Sequence, residues 1–191
     1  YKWYPHNKGG GFKKWYGCQD YVVNWQNNGQ ELWEFTATLN QGSNVRLKSR
    51  EYYFRESATW TDISTTEPSA RYIPPGFIFD TSGPSAFQSG DLSINSIIGF
   101  INSSVSRELI SLMNPTLHFT LRDANCMPTP TLLAEGSIDH LVEKLILLSK
   151  KDWDTYETSM DFSENSICAD ENRGVSVRSV SYTHLTLPTI L

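Results

Sequence analysis

Residues 1–16 place four lysines, Lys2, Lys8, Lys13 and Lys14, among six aromatic rings on a Gly9-Gly10-Gly11 hinge, with no acidic residue in between. That pattern suits a polyanion. Ammonium groups replace the counterions condensed on a phosphate backbone, and rigid aromatic faces stack on bases or wedge against sugars. The same residue types also fill cores and coat surfaces, so composition alone permits nucleic acid without requiring it. Two further groups fit the same chemistry. Asn24, Gln26, Asn27 and Asn28 flank Trp25, and an Asn or Gln amide can pair bidentately with an adenine edge in the major groove. Arg46, Lys48 and Arg50 alternate, so on a hairpin arm all three project from one face and can follow a phosphate strand.

Catalytic chemistry has no comparable constellation. Gly9-Gly10-Gly11 lacks the strand and helix that flank a phosphate-cradling loop, and reads as a flexible turn. His6, His118, His140 and His184 are too scattered for a metal site; His118, between Leu117 and Phe119, reads as a sheet histidine. No nucleophile elbow of the G-x-S-x-G kind occurs, and the carboxylate pairs Asp152/Asp154 and Asp170/Glu171 sit in polar stretches as solvated charge. Cys18, Cys126 and Cys168 are odd in number and far apart, which indicates neither a disulfide framework nor zinc and suits a reducing compartment.

The elements that must carry these side chains divide the chain in two. Its 191 residues, 39% apolar and 19% charged, suit one globular domain. No apolar run is long enough to span a membrane, and no secretory signal opens the chain, so the cytoplasm is the simplest location. The net charge of -5 argues against nucleic acid until it is mapped: residues 1–60 carry +3 and residues 61–191 carry -8. In the first half, turn signals separate aromatic and β-branched runs, predicting strands at Tyr21 to Trp25, Glu51 to Arg55 and Gly76 to Asp80 in a twisted, mostly antiparallel sheet. In the second half, Asp91 is placed to cap one helix running from Ile94 through Ile98, Ile101 and Val105 to Met113, stopped by Asn114-Pro115. Thr116 to Thr120 reads as a short strand. Another helix starts near Ser137 and carries Lys150-Lys151 at its C-terminal end, where the dipole favours cations. The fold class is therefore α+β, with a basic, β-rich first half packed with acidic amphipathic helices. Residues 1–162 form the expected domain and 163–176 a loose acidic tail. Residues 177–191 are set aside, because Ser181 to Ile190 is similar to translated sequencing adaptor.

The run Lys2 to Gly10, continuing through Lys14-Trp15-Tyr16-Gly17 to Tyr21-Val22-Val23-Asn24-Trp25, resembles the region after the catalytic domain of PglX-type adenine-specific DNA methyltransferases, the modification enzymes of BREX phage-defence systems. Glu51-Tyr52-Tyr53-Phe54, Thr59 to Ser64, Ser69-Ala70-Arg71-Tyr72, Pro75 to Asp80, Gly99 to Ser103 and Ser149 to Ser159 keep the order and spacing of that family. Arg122, where a glycine is usual, departs from it, as do Ala124 and Met127. The resemblance implies a target-recognition region like those of restriction-modification specificity domains. It also implies that the Asn102-Ser103 helix, the Asn114-Pro115-Thr116 turn and the Phe119, Asp123, Pro128 pattern are scaffold. Family chemistry moves a methyl group from S-adenosylmethionine to a flipped-out adenine and needs an Asn-Pro-Pro-Tyr type motif. The chain has no such motif, so no catalytic or cofactor-binding residue is carried over, and those parts are expected upstream of Tyr1.

Residue pattern and resemblance together lead to one expectation: a module that holds double-stranded DNA against an upstream methyltransferase domain in the bacterial cytoplasm. Phosphate contacts fall to Lys8, Lys13, Lys14, Arg46, Lys48 and Arg50; base contacts fall to Arg71 and to Asn24, Asn27 and Asn28. Two alternatives are a docking region for other phage-defence subunits through the acidic helices, and a carbohydrate-binding module built on the aromatic sheet.

Overall fold

Short runs of aromatic and β-branched residues cannot form long strands, and the sheets they build are small. A computed structural model of the chain describes residues 1–38, 47–63, 67–114, 116 and 118–164, the side chain of Leu132 excepted. The first sheet has the order β2-β1-β5. In it β1 (Trp3–Asn7) pairs antiparallel with β2 (Tyr21–Asn24) and parallel with β5 (Ile78–Phe79). The second sheet joins β3 (Ser57–Thr59), β4 (Arg71–Ile73) and β6 (Ser85–Ala86), all antiparallel, in the order β4-β3-β6. Buried Asn7 ties the sheets together: its side-chain N–H donates to Thr59 Oγ1 at 2.7 Å and to the Gly83 carbonyl at 3.2 Å.

Helices cover the second sheet. The predicted single helix is two, α2 (Ile94–Ile101) and α3 (Ser104–Met113), capped by Ser93 and Ser103 rather than Asp91. Each serine Oγ accepts a backbone N–H three residues on, a bond that satisfies an orphan donor of the first turn. Between them Asn102 leaves helical duty: its side chain donates to the Ala70 carbonyl at 2.9 Å and accepts from the Ala70 N–H at 2.8 Å, extending strand-like pairing beside β4. The expected stop before Pro115 holds, since α3 ends at Met113. Among the described residues an isolated bridge, His118 to Ile63, stands where a strand was expected. It leads into α4 (Leu121–Cys126), which opens on a reciprocal capping box between Thr120 and Asp123. The last helix of the described residues, α5 (Asp139–Trp153), matches its predicted position and carries Lys150 and Lys151 in its last turn.

The larger core lies between the second sheet and these helices, with Trp60, Ile98, Ile101, Phe119, Val142 and Trp153 at its centre. A smaller aromatic core, Trp25, Tyr53 and Ile78, sits under the first sheet. The architecture is α+β as predicted, with three corrections in its first half, the first being that the single expected sheet is two separate three-stranded ones. An unpredicted helix, α1 (Gln26–Thr38), follows β2. Glu51 to Arg55 is a 3-10 turn, Arg50–Tyr52, and a loop rather than a strand, and it packs one ring, Tyr53, into the smaller core.

Candidate nucleic-acid interface

Strand alternation sorts the first sheet. Tyr4 and Val23 turn inward onto the smaller core, while their neighbours Trp3 and Val22 stay exposed. Where the sheet meets α1, the Trp25 N–H donates to the Lys2 carbonyl at 2.9 Å and closes that end. There α1 opens on three left-handed residues, Asn27, Asn28 and Gly29, with φ of 51°, 58° and 78°. Asparagine tolerates that conformation, and Gly29 is required on a second count, since a Cβ would come within 2.7 Å of the Trp25 ring. The turn lifts Asn27 and Asn28 into solvent. No hydrogen bond occupies their amides among the described residues. With Lys2, Tyr4 and Gln26 they rim an open cleft of about 480 Å³ above Trp25.

The structure divides the candidate residues into an available set and a committed one. Lys8 is exposed, its ammonium 5.3 Å from the Tyr21 ring at the far end of β1. Lys48 is exposed, and exposed Arg50 lies 5.0 Å from the Trp33 ring and 5.8 Å from that of Trp25. The expected hairpin arm is a correction: Lys48 and Arg50 sit in a loop and a 3-10 turn, and Arg46 lies outside the described residues. Asn24 is engaged locally: its Oδ1 accepts the Gln26 N–H at 3.1 Å and its Nδ2 donates to the Glu31 carboxylate, so the amide caps a turn.

Three cations expected at phosphates or bases have partners within the molecule, Arg71 fully buried and Lys13 and Lys14 partly exposed. Lys13 reaches Asp152 at 3.4 Å and lies over the rings of Trp153 and Tyr156. Lys14 meets Glu67 at 3.1 Å and donates to the Asn102 carbonyl. Burial alone would raise the Glu67 carboxyl, but the hydrogen bonds and charges of Lys14 and Arg107 outweigh it and hold that group below the usual carboxylate range. Arg71 is 0% exposed. Its guanidinium donates to the carbonyls of Gly11 and Lys13 at 3.2 and 3.5 Å and to Thr61 Oγ1 at 3.0 Å. A buried arginine spent on loop carbonyls cannot meet a base in this conformation. The glycine loop is thus a strap, not a loose hinge. It is fastened further by the Ser149 hydroxyl on the Lys14 carbonyl, and by Gly17, where a Cβ would press on the Trp153 ring at 3.0 Å.

Other chemistry is sparse. Among the described residues no group of three His, Cys, Asp or Glu side chains could hold a metal ion. Burial lowers the His6 pKa against the opposing pull of Asp80, 3.7 Å away, and His118 pairs with Asp62 at 3.5 Å beside its bridge. No helix among the described residues is long and apolar enough to cross a membrane. The sequence reading passes over Arg55, which is exposed beside the aromatic run Tyr52-Tyr53-Phe54 that could have drawn notice to it.

No family model matches the chain. Over 185 residues, 96% of its length, it is 36% identical to the adenine-specific methyltransferase BrxX of Escherichia coli O9:H4 (strain HS). Over 167 residues, 85% of its length, it is 35% identical to the adenine-specific methyltransferase PglX of Lacticaseibacillus casei (strain Zhang). In both comparisons the chain spans 14% of the relative's length.

Proposed function

The chain is related in sequence to the adenine-specific methyltransferases BrxX and PglX, and from that premise we propose that it is the DNA-contacting target-recognition part of such an enzyme in a phage-defence system. The single observation that carries this reading is the match along nearly the whole chain to a 14% segment of methyltransferases. The exposed cations and free amides of its first half support a recognition role. S-adenosylmethionine and the reacting adenine are assigned to a methyltransferase domain elsewhere in the protein, with this module holding duplex DNA against it. Lys8, Lys48 and Arg50 are assigned to phosphates, with Arg46 as a further candidate. Asn27 and Asn28 are assigned to base edges, their unpaired amides having the donor and acceptor that an adenine edge requires. Binding of the chain to duplex DNA, followed by fluorescence anisotropy across a salt series, tests the reading. Dissociation constants in the non-specific range of ~10⁻⁴ to 10⁻⁶ M, weakening steeply with salt, are expected. Affinity indifferent to salt would overturn the phosphate assignment.

Exposed leucines on α5, Leu141, Leu147 and Leu148, favour a second reading in which the helical half docks other defence subunits. Co-purification that survives removal of residues 1–60 but not of residues 132–162 would support it over the first.

A further inference from the structure

The segment Arg50-Glu51-Tyr52-Tyr53-Phe54-Arg55 carries an arginine at each end, and the fold consumes neither. The Arg50 guanidinium lies 5.0 Å from the Trp33 ring and 5.8 Å from the Trp25 ring; that of Arg55 lies 5.3 Å from the Tyr52 ring and 5.7 Å from the Phe87 ring. Among the described residues neither makes a salt bridge or a hydrogen bond, and both are exposed. Glu56, the acid next to Arg55, is already taken by the Tyr72 hydroxyl at 2.7 Å. An aromatic face attracts the guanidinium charge without taking up its N–H donors, which stay free for a phosphate oxygen pair.

The mounting is rigid. Tyr53 anchors the middle of the segment, 5.3 Å from Trp25 and 5.2 Å from Phe79, both edge-on. Phe54 holds a left-handed backbone, φ 66°, where a bulky side chain is a genuine outlier. It is kept there from both sides: its N–H donates to the Phe77 carbonyl at 2.8 Å, and its carbonyl accepts the Gly76 N–H at 3.0 Å. Strain of that kind persists where the surroundings over-determine it, and it gathers at functional positions.

We propose that Arg55 joins Arg50 as a pair of pre-oriented phosphate contacts, two guanidinium forks presented to one backbone strand of the duplex. This rests on the DNA-contacting reading above, and the test separates the two. The whole chain and its Arg50→Gln, Arg55→Gln and double variants are titrated with one mixed-sequence DNA duplex between about 50 and 200 mM salt, with Arg122→Gln, on exposed α4, as the control. Glutamine removes the charge and keeps a planar end able to lie over the same rings; Arg55→Ala serves if a glutamine variant fails to fold by circular dichroism. Each single variant is expected to lower the slope of log affinity against log salt by ~0.9, and the double variant by ~1.8, with the control unchanged. Over that fourfold salt range each loss makes binding about 3.5-fold less salt-sensitive. Slopes equal to that of the parent chain overturn the arginine pair and leave DNA binding standing. A parent chain that binds no duplex overturns the DNA reading and this inference with it.

Discussion

Replacing Asn102 with alanine tests how the two halves of the domain are joined. The side chain is 5% exposed and bonds both backbone groups of Ala70, a residue that is itself fully buried. Truncation leaves the Ala70 N–H without a partner, a loss of ~1–3 kcal/mol for a buried donor. The Ala70 carbonyl loses one of two partners but keeps the Trp15 N–H at 2.9 Å, so ~0.5–1.5 kcal/mol is lost there. Together these give roughly 2–4 kcal/mol, a large part of the ~5–15 kcal/mol that holds a domain folded. In urea unfolding followed by tryptophan fluorescence, with a slope of about 2 kcal/mol/M, the midpoint should fall by about 1–2 M at unchanged slope. Asn102→Asp refines the test. It keeps the acceptor for the Ala70 N–H and sets an anionic oxygen against the Ala70 carbonyl, so the folded-state carboxyl is pushed above its ordinary pKa. The penalty therefore grows as pH rises through the carboxylate range and is relieved below it, when the protonated acid can donate. Stability of Asn102→Ala within about 0.5 kcal/mol of the parent would refute the reasoning, since surface positions behave that way and junctions do not.

Two further outcomes follow from the strap. Arg71→Met removes the donor shared by the Gly11 and Lys13 carbonyls, and should cost ~2–3 kcal/mol and open the loop to limited proteolysis between Gly9 and Gln19; an unchanged cleavage pattern would count against it. Glu67, held below its ordinary pKa by Lys14 and Arg107 once burial is offset, adds stability that is full above the unfolded carboxyl pKa and is lost as pH falls through the lowered folded value. Glu67→Gln should accordingly flatten the acid limb of a stability profile, and superimposable profiles would sink that assignment.

What was legible in the sequence is what local chemistry decides. The Asn27-Asn28-Gly29 turn, the start of β2, the stop at Asn114 and the course of α5 all follow from residue preferences within a few positions. The break between α2 and α3 was hidden because the apolar periodicity from Ile94 to Met113 runs across it, while its cause, the bond from Asn102 to Ala70, spans 32 residues. Glu51 to Arg55 imitates a strand in composition, yet left-handed Ser49 lies just before it, left-handed Phe54 lies within it, and only Tyr53 is buried. The site followed the same division. Lysine carries no mark that tells a phosphate partner from a carboxylate partner, and the acid that claims Lys13 stands 139 positions away. Asn27, Asn28 and Arg50 are exposed as expected because their neighbours Trp25 and Gly29 fix the local geometry.

The parallel pairing of β1 with β5 sets an order on how the chain can mature as it emerges from the ribosome. Trp3 to Asn7 has no second sheet partner until Ile78 and Phe79 have been made, and the strap beside it, held first by Arg71, gains its last anchors only when Ser149, Asp152 and Trp153 follow. Within this segment the aromatic-rich stretch is therefore made before the residues that complete its surroundings. Translation speed and chaperone supply should therefore govern the yield of this region more than its equilibrium stability does.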